Sequence, residues 1–249
     1  MSHRVLLYVV GFLVVAGCAA LAVLPARWIM AVLPSDLPIA VVNATGTIWS
    51  GTATIALGTP ERRRSVIEPV HWQFSFSPGP RLQLSHPWLG GPVTLSPNWR
   101  GIGISAQRLQ LPAAVLGALD ARIAAVSPGG ELSVKWPATF IGPISHAPGT
   151  ELLNAEWRNA VSAMASVRPL GDYAITVQQG AADQATLMLN TKQGPLMLNG
   201  SGTLSNRQLQ FDGTAQVEPS AKAGTHAALR DLLAMLGPSQ NNVTLLRFR

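Results

Sequence analysis

The run from Val5 to Leu24, VLLYVVGFLVVAGCAALAVL, carries no charged residue. About 20 consecutive apolar residues is the length an α-helix needs to cross the hydrocarbon core of a bilayer, so this run predicts a single transmembrane helix. His3 and Arg4 precede it and Pro25 and Arg27 close it. That flanking charge favours an N-terminus on the cytoplasmic side and a body on the other. Residues 1–27 therefore read as a cytoplasmic tip and anchor, and residues 28–249 as the domain it carries.

Two rival readings use the same residues. Ala20-Leu21-Ala22 has the small-x-small form of a signal cleavage site, and Val15-Ala16-Gly17-Cys18 has the form of a lipoprotein box, in which Cys18 would be acylated. The run stays apolar through both sites, and Trp28-Ile29-Met30 prolongs it, which favours the uncleaved anchor. All three readings place the body outside the cytoplasm. Cys18 is the only cysteine, so neither an internal disulfide nor a cysteine-based metal site can form.

Charged residues make up only 12% of the chain, about half the share usual in soluble domains, while Gly and Pro number 23 and 19. Frequent turns and little solvated charge suit short strands in an envelope setting. Ile39 to Leu57 reads as two strands around a turn, with Gly46 and Gly51 bracketing Thr47-Ile48-Trp49-Ser50. His71 to Phe76 alternates with period two, placing Trp72, Phe74 and Phe76 on one face, predicted to be core, and Arg81 to Leu84 repeats the alternation after Pro78-Gly79-Pro80. The two predict a hairpin. The pattern recurs at Glu131–Trp136, Leu153–Trp157, Tyr173–Val177, Ala185–Asn190, Leu196–Leu198 and Gln208–Val217. Two amphipathic helices are predicted: Pro112 to Val126, ended by Ser127-Pro128-Gly129-Gly130, and Thr225 to Leu236, with Thr225 as N-cap and Gly237-Pro238 as stop. The expected fold is thus mainly β: an N-terminal transmembrane helix, then a curved antiparallel sheet meander with two short helices. The body reads as two related halves dividing near residues 127–130.

No catalytic constellation emerges. Gly-x-Ser-x-Gly is absent, the five histidines lack metal-ligand spacing, and the carboxylates form no close pair. Gly101-Ile102-Gly103-Ile104-Ser105-Ala106 matches a dinucleotide fingerprint in form, but Ile102, Ile104 and Ala106 alternate as in a strand, and a fingerprint requires an opening helix. No cofactor and no metal are therefore expected. The net charge of +6 is scattered, and the one cluster, Arg62-Arg63-Arg64, reads as a solvated loop without interleaved aromatics, so nucleic acid is not an expected partner. Contact candidates are Trp49, Trp88 and Trp99, aromatic residues set beside Gly or Pro in predicted turns.

Four elements in register carry a resemblance. Ala44-Thr45-Gly46-Thr47-Ile48-Trp49-Ser50-Gly51 follows the anchor, Gly130-Glu131-Leu132 precedes Trp136, and Trp157 precedes Pro169-Leu170-Gly171-Asp172-Tyr173. Gly194-Pro195-Leu196-Met197-Leu198-Asn199-Gly200-Ser201-Gly202 then leads to Phe211-Asp212-Gly213-Thr214-Ala215. Together they resemble the type II secretion system protein N family. The resemblance implies a single-pass protein of the bacterial inner membrane, its body in the periplasm, without enzymatic activity. It would work beside other envelope subunits in the export of folded proteins across the outer membrane. The rival from another class is an envelope lipid-binding protein of the AsmA-like kind, in which the inward faces of the sheet leave an apolar groove.

Overall fold

The computed structural model describes residues 12, 15–17, 19–28, 39–58, 63–118, 121–181, 184–205, 208–240 and 242–248. Half of the Val5 to Leu24 run, including Cys18 with its acylation reading, lies outside these. Within the run, residues 15–17 and 19–22 are helical. Among the described residues no helix is long and apolar enough to cross a membrane. The chain falls into two compact units, 1–86 and 87–249.

In the first unit, β1 (Ile39–Gly46) pairs antiparallel with β2 (Ser50–Leu57), which pairs in turn with β4 (Val70–Ser75), and β4 with β5 (Arg81–Ser85); the short β3 (Arg64–Ser65) flanks the far end of β2. The turn between β1 and β2 is tight because Gly46 adopts φ +93°, where a side chain would strain the backbone. Opposite it, Gly51 leaves room for the Trp72 ring, which a Cβ would meet at 2.6 Å. Trp72 is buried with Ala26 and Ala53 as the small core of this unit. Its partners on the alternating face are not. Phe74 and Phe76 are exposed, because β4 runs out beside the turn, where no layer covers them. Arg64, expected in a loop, lies in β3, and Arg62 is outside the described residues.

In the second unit, β6 (Val93–Asn98), β7 (Gly101–Ile104) and β10 (Thr139–Ile141) pair in that order. A larger sheet of nine strands runs β16-β17-β15-β14-β13-β12-β11-β9-β8. Its members are β8 (Gln107–Pro112), β9 (Pro128–Trp136), β11 (Glu151–Ser162), β12 (Gly171–Gln179), β13 (Gln184–Gln193), β14 (Leu196–Ser205), β15 (Gln208–Val217), β16 (Ser239–Gln240) and β17 (Val243–Phe248). From β11 to β15 it is a plain meander, as the alternation predicts. Every described pairing is antiparallel and neither sheet closes. Pro128–Gly130 are the first residues of β9.

Both helices differ from expectation. Of Pro112 to Val126, Pro112 ends β8, Ala113–Ala118 is a 3-10 segment and Ala121–Val126 is a short α-helix, α1. Gly117 in the middle of that stretch weakens a continuous helix. The second, α2, runs Ala223–Leu236, so its N-cap is Lys222 rather than Thr225, and no side chain caps it. It lies on β15 and β17 and drives Leu229 and Leu232 into the main core with Tyr173, Leu196, Ala160 and Val217.

Candidate functional site

The three tryptophans singled out by sequence occupy different settings. Trp99 sits in the turn between β6 and β7, is 80% exposed, and carries the Arg100 guanidinium 4.5 Å above its ring. Trp88 is half-buried, and its carbonyl accepts from the Gln110 amide at 2.7 Å, which helps tie the start of the second unit to β8. Trp49 is half-buried in the first unit. Its indole N–H donates to the Leu21 carbonyl at 2.8 Å, and its ring stands edge-on to Phe74 at 5.9 Å and to Phe76 at 5.6 Å. The structure does not gather the three into one site.

The second unit holds a groove of about 730 Å³; the sequence raised an apolar groove only as the rival reading and did not locate its walls. One wall comes from Val93, Leu95 and Ile104 of β6 and β7 with Phe140 and Ile141 of β10, and the other from Trp136, Leu152, Leu153, Ala185 and Leu204 of the large sheet. Ile144 and His146 close one side. Most of the apolar lining comes from strands. From sequence such positions read as core, and the separation between the two walls is a tertiary fact with no local signature. The walls are held by polar anchors behind them: the Trp136 indole donates to the Ser105 carbonyl at 3.0 Å, and His146 shares a 2.8 Å hydrogen bond with the Thr139 hydroxyl while stacking on Phe140 at 4.1 Å. Arg100 reaches the outer face of Phe140, 5.7 Å from its centroid.

Gly101–Ile104 is strand β7, so the dinucleotide fingerprint lacks its helix. Among the described residues no three His, Cys, Asp or Glu side chains cluster to hold a metal. His71 opens β4 on the exposed side, and the His86 ring Nε2 meets the Glu68 carbonyl at 3.2 Å. Among the described residues Glu156 on β11 has the strongly perturbed carboxyl, held down to about 2 by hydrogen bonds from Lys192 and Arg158, with which it forms ion pairs. Tyr173 is buried, which pushes its hydroxyl well above the usual tyrosine value, aided by the adjacent Asp172 charge. It donates to the Leu196 carbonyl at 2.9 Å.

A family model described as type II secretion system, protein N, matches residues 38–246. Neither a curated protein nor a solved structure matches the chain.

Proposed function

The chain belongs to the type II secretion system protein N family, and from that premise we propose that it is a non-catalytic, single-pass component of the bacterial inner membrane whose body stands in the periplasm and contributes to export of folded proteins across the outer membrane. The observation that carries this reading is the extent of the match: it begins at the strand after the anchor and ends in the last strand, so the whole β body is what the family shares. The anchor itself rests on the length and apolarity of Val5 to Leu24. A β body with exposed strand edges and few charges suits docking to other secretion subunits. Trp99 with Arg100 is the contact point we assign, since an exposed aromatic stacked by a guanidinium is the chemistry that dominates interface energy. The test is a strain lacking this chain. Folded exoproteins should accumulate in the periplasm, return to the medium when the intact chain is restored, and return less fully with Trp99→Ala. Unchanged partition in the deletion strain would overturn the reading.

The groove favours a second reading, that the body binds an acyl chain in the AsmA-like manner, because about 730 Å³ of predominantly apolar lining falls within the range of small-ligand sites. Purification from envelopes followed by lipid extraction distinguishes the two. Co-purifying lipid that disappears with Ala185→Trp, a substitution that fills the groove, would support the second reading, and its absence from the intact chain would dismiss it.

A further inference from the structure

We propose that Trp49, Phe74 and Phe76, with the chain leaving the anchor, form a membrane-interface contact that lays the first sheet against the surface of the bilayer. The proposal rests on the anchor reading of Val5 to Leu24.

Among the described residues, those at the end of the apolar run are hydrogen-bonded to the β1–β2 turn. The Ile48 amide donates to the Leu24 carbonyl at 3.0 Å, the Ala26 amide to the Gly46 carbonyl at 3.0 Å, and Pro25 bridges Thr47. The Trp49 indole N–H donates to the Leu21 carbonyl in the last turn of the helical stretch, which also accepts from the Leu24 amide at 3.4 Å. The β1–β2 turn is therefore pinned to the residues where a span ending at Leu24 emerges from the hydrocarbon. The Phe74 amide in turn donates to the Trp49 carbonyl at 2.6 Å, so β4 ends at the same level.

The side chains at that level are those of an interface. Phe76 is 63% exposed, and Leu21, Val23 and Trp28 are 56%, 68% and 57% exposed. Water would leave these side chains uncovered, while headgroups and upper acyl chains would cover them, and amphipathic rings concentrate at that depth. Charge agrees. No carboxylate occurs in residues 19–28, 46–51 or 72–77, and the one charged side chain there is Arg27, exposed and suited to lipid phosphate.

The experiment places benzoylphenylalanine, which preserves an aromatic ring, at position 15, 76 or 67 of the full chain reconstituted in phosphatidylethanolamine–phosphatidylglycerol vesicles. Position 67 is the control: Ile67 is exposed and follows β3, which pairs at the Ala56–Leu57 end of β2, roughly 20 Å along the strand from Ser50. After irradiation, phospholipid adducts at position 76 should approach those at position 15 and exceed those at position 67 by about tenfold. Adducts at position 15, with position 76 no higher than position 67, would overturn the proposal and leave the anchor standing. Absence of adducts at position 15 would remove the anchor reading and the proposal with it. Crosslinking of position 76 to a second copy of the chain would overturn the proposal in favour of an interface between copies.

Discussion

Two residues on β11 and β12 carry measurable consequences. Tyr173 is almost wholly buried, and its hydroxyl is the donor to the Leu196 carbonyl at the start of β14. Tyr173→Phe keeps the ring and its packing against Trp157 but strips that carbonyl of its donor, so the expected loss is about 1–2 kcal/mol, read as a lower urea midpoint at unchanged slope. Glu156 behaves differently because its contribution titrates. Its folded pKa is depressed from 4.5 to about 2, so the ion pairs stabilise the protein above about pH 4.5, and that stabilisation fades as pH falls toward 2. Lys192 and Arg158 are more than half exposed, at 54% and 59%, and solvent screening limits the effect to about 1 kcal/mol. Glu156→Gln should therefore be less stable than the native chain near neutral pH and equal to it at about pH 2, in a denaturation series across pH. A difference that persists at low pH would assign the effect to packing.

At the scale of elements, α2 begins with a defect that can be repaired. Lys222 has the extended φ and ψ of an N-cap but contributes no capping bond, and Thr225, which sequence spacing favours for that role, is inside the helix with its amide donating to the Lys222 carbonyl. Lys222→Ser supplies the missing acceptor and should raise stability by about 0.5–1 kcal/mol, seen as a higher thermal midpoint. The misplacement shows what the sequence could carry. Period-two alternation located the strands from β11 to β15, and Pro78-Gly79-Pro80 located the β4–β5 hairpin, because strand periodicity and turn chemistry are local. The strand β17 has no clear sequence signal: in Val-Thr-Leu-Leu-Arg-Phe two leucines adjoin and blur the alternation, and its pairing with β15 and β16 makes it a strand. Phe74 and Phe76 were placed in the core for the converse reason. Alternation reveals that two residues share a face, but whether a layer covers that face is decided by distant segments. The groove was hidden by the same limit, since both of its walls carry the apolar pattern of a core.

At the scale of the whole molecule, the proposed anchor would set where every other feature operates, and its removal separates membrane attachment from folding. Deleting the N-terminus outright would confuse the two, because Ala26 is buried in the core of the first unit and Leu21 and Leu24 supply the carbonyls that hold Trp49 and Ile48. A cleaner variant replaces residues 1–18 with a cleavable export signal, so that the mature chain starts at Ala19 and keeps those contacts. Its β body retains both sheets but has lost most of the apolar run, leaving residues 19–24, too short to span a bilayer. The expected outcome is release into the soluble periplasmic fraction, whereas the native chain stays with membranes through alkaline carbonate extraction. If the anchor serves only to concentrate the body near its partners, export should fall but recover on overexpression of the released chain, by the arithmetic of effective concentration. If the aromatic face must be held at the bilayer surface, overexpression should not restore export. Continued membrane retention of the chain starting at Ala19 would show that attachment comes from the body rather than from Val5 to Leu24.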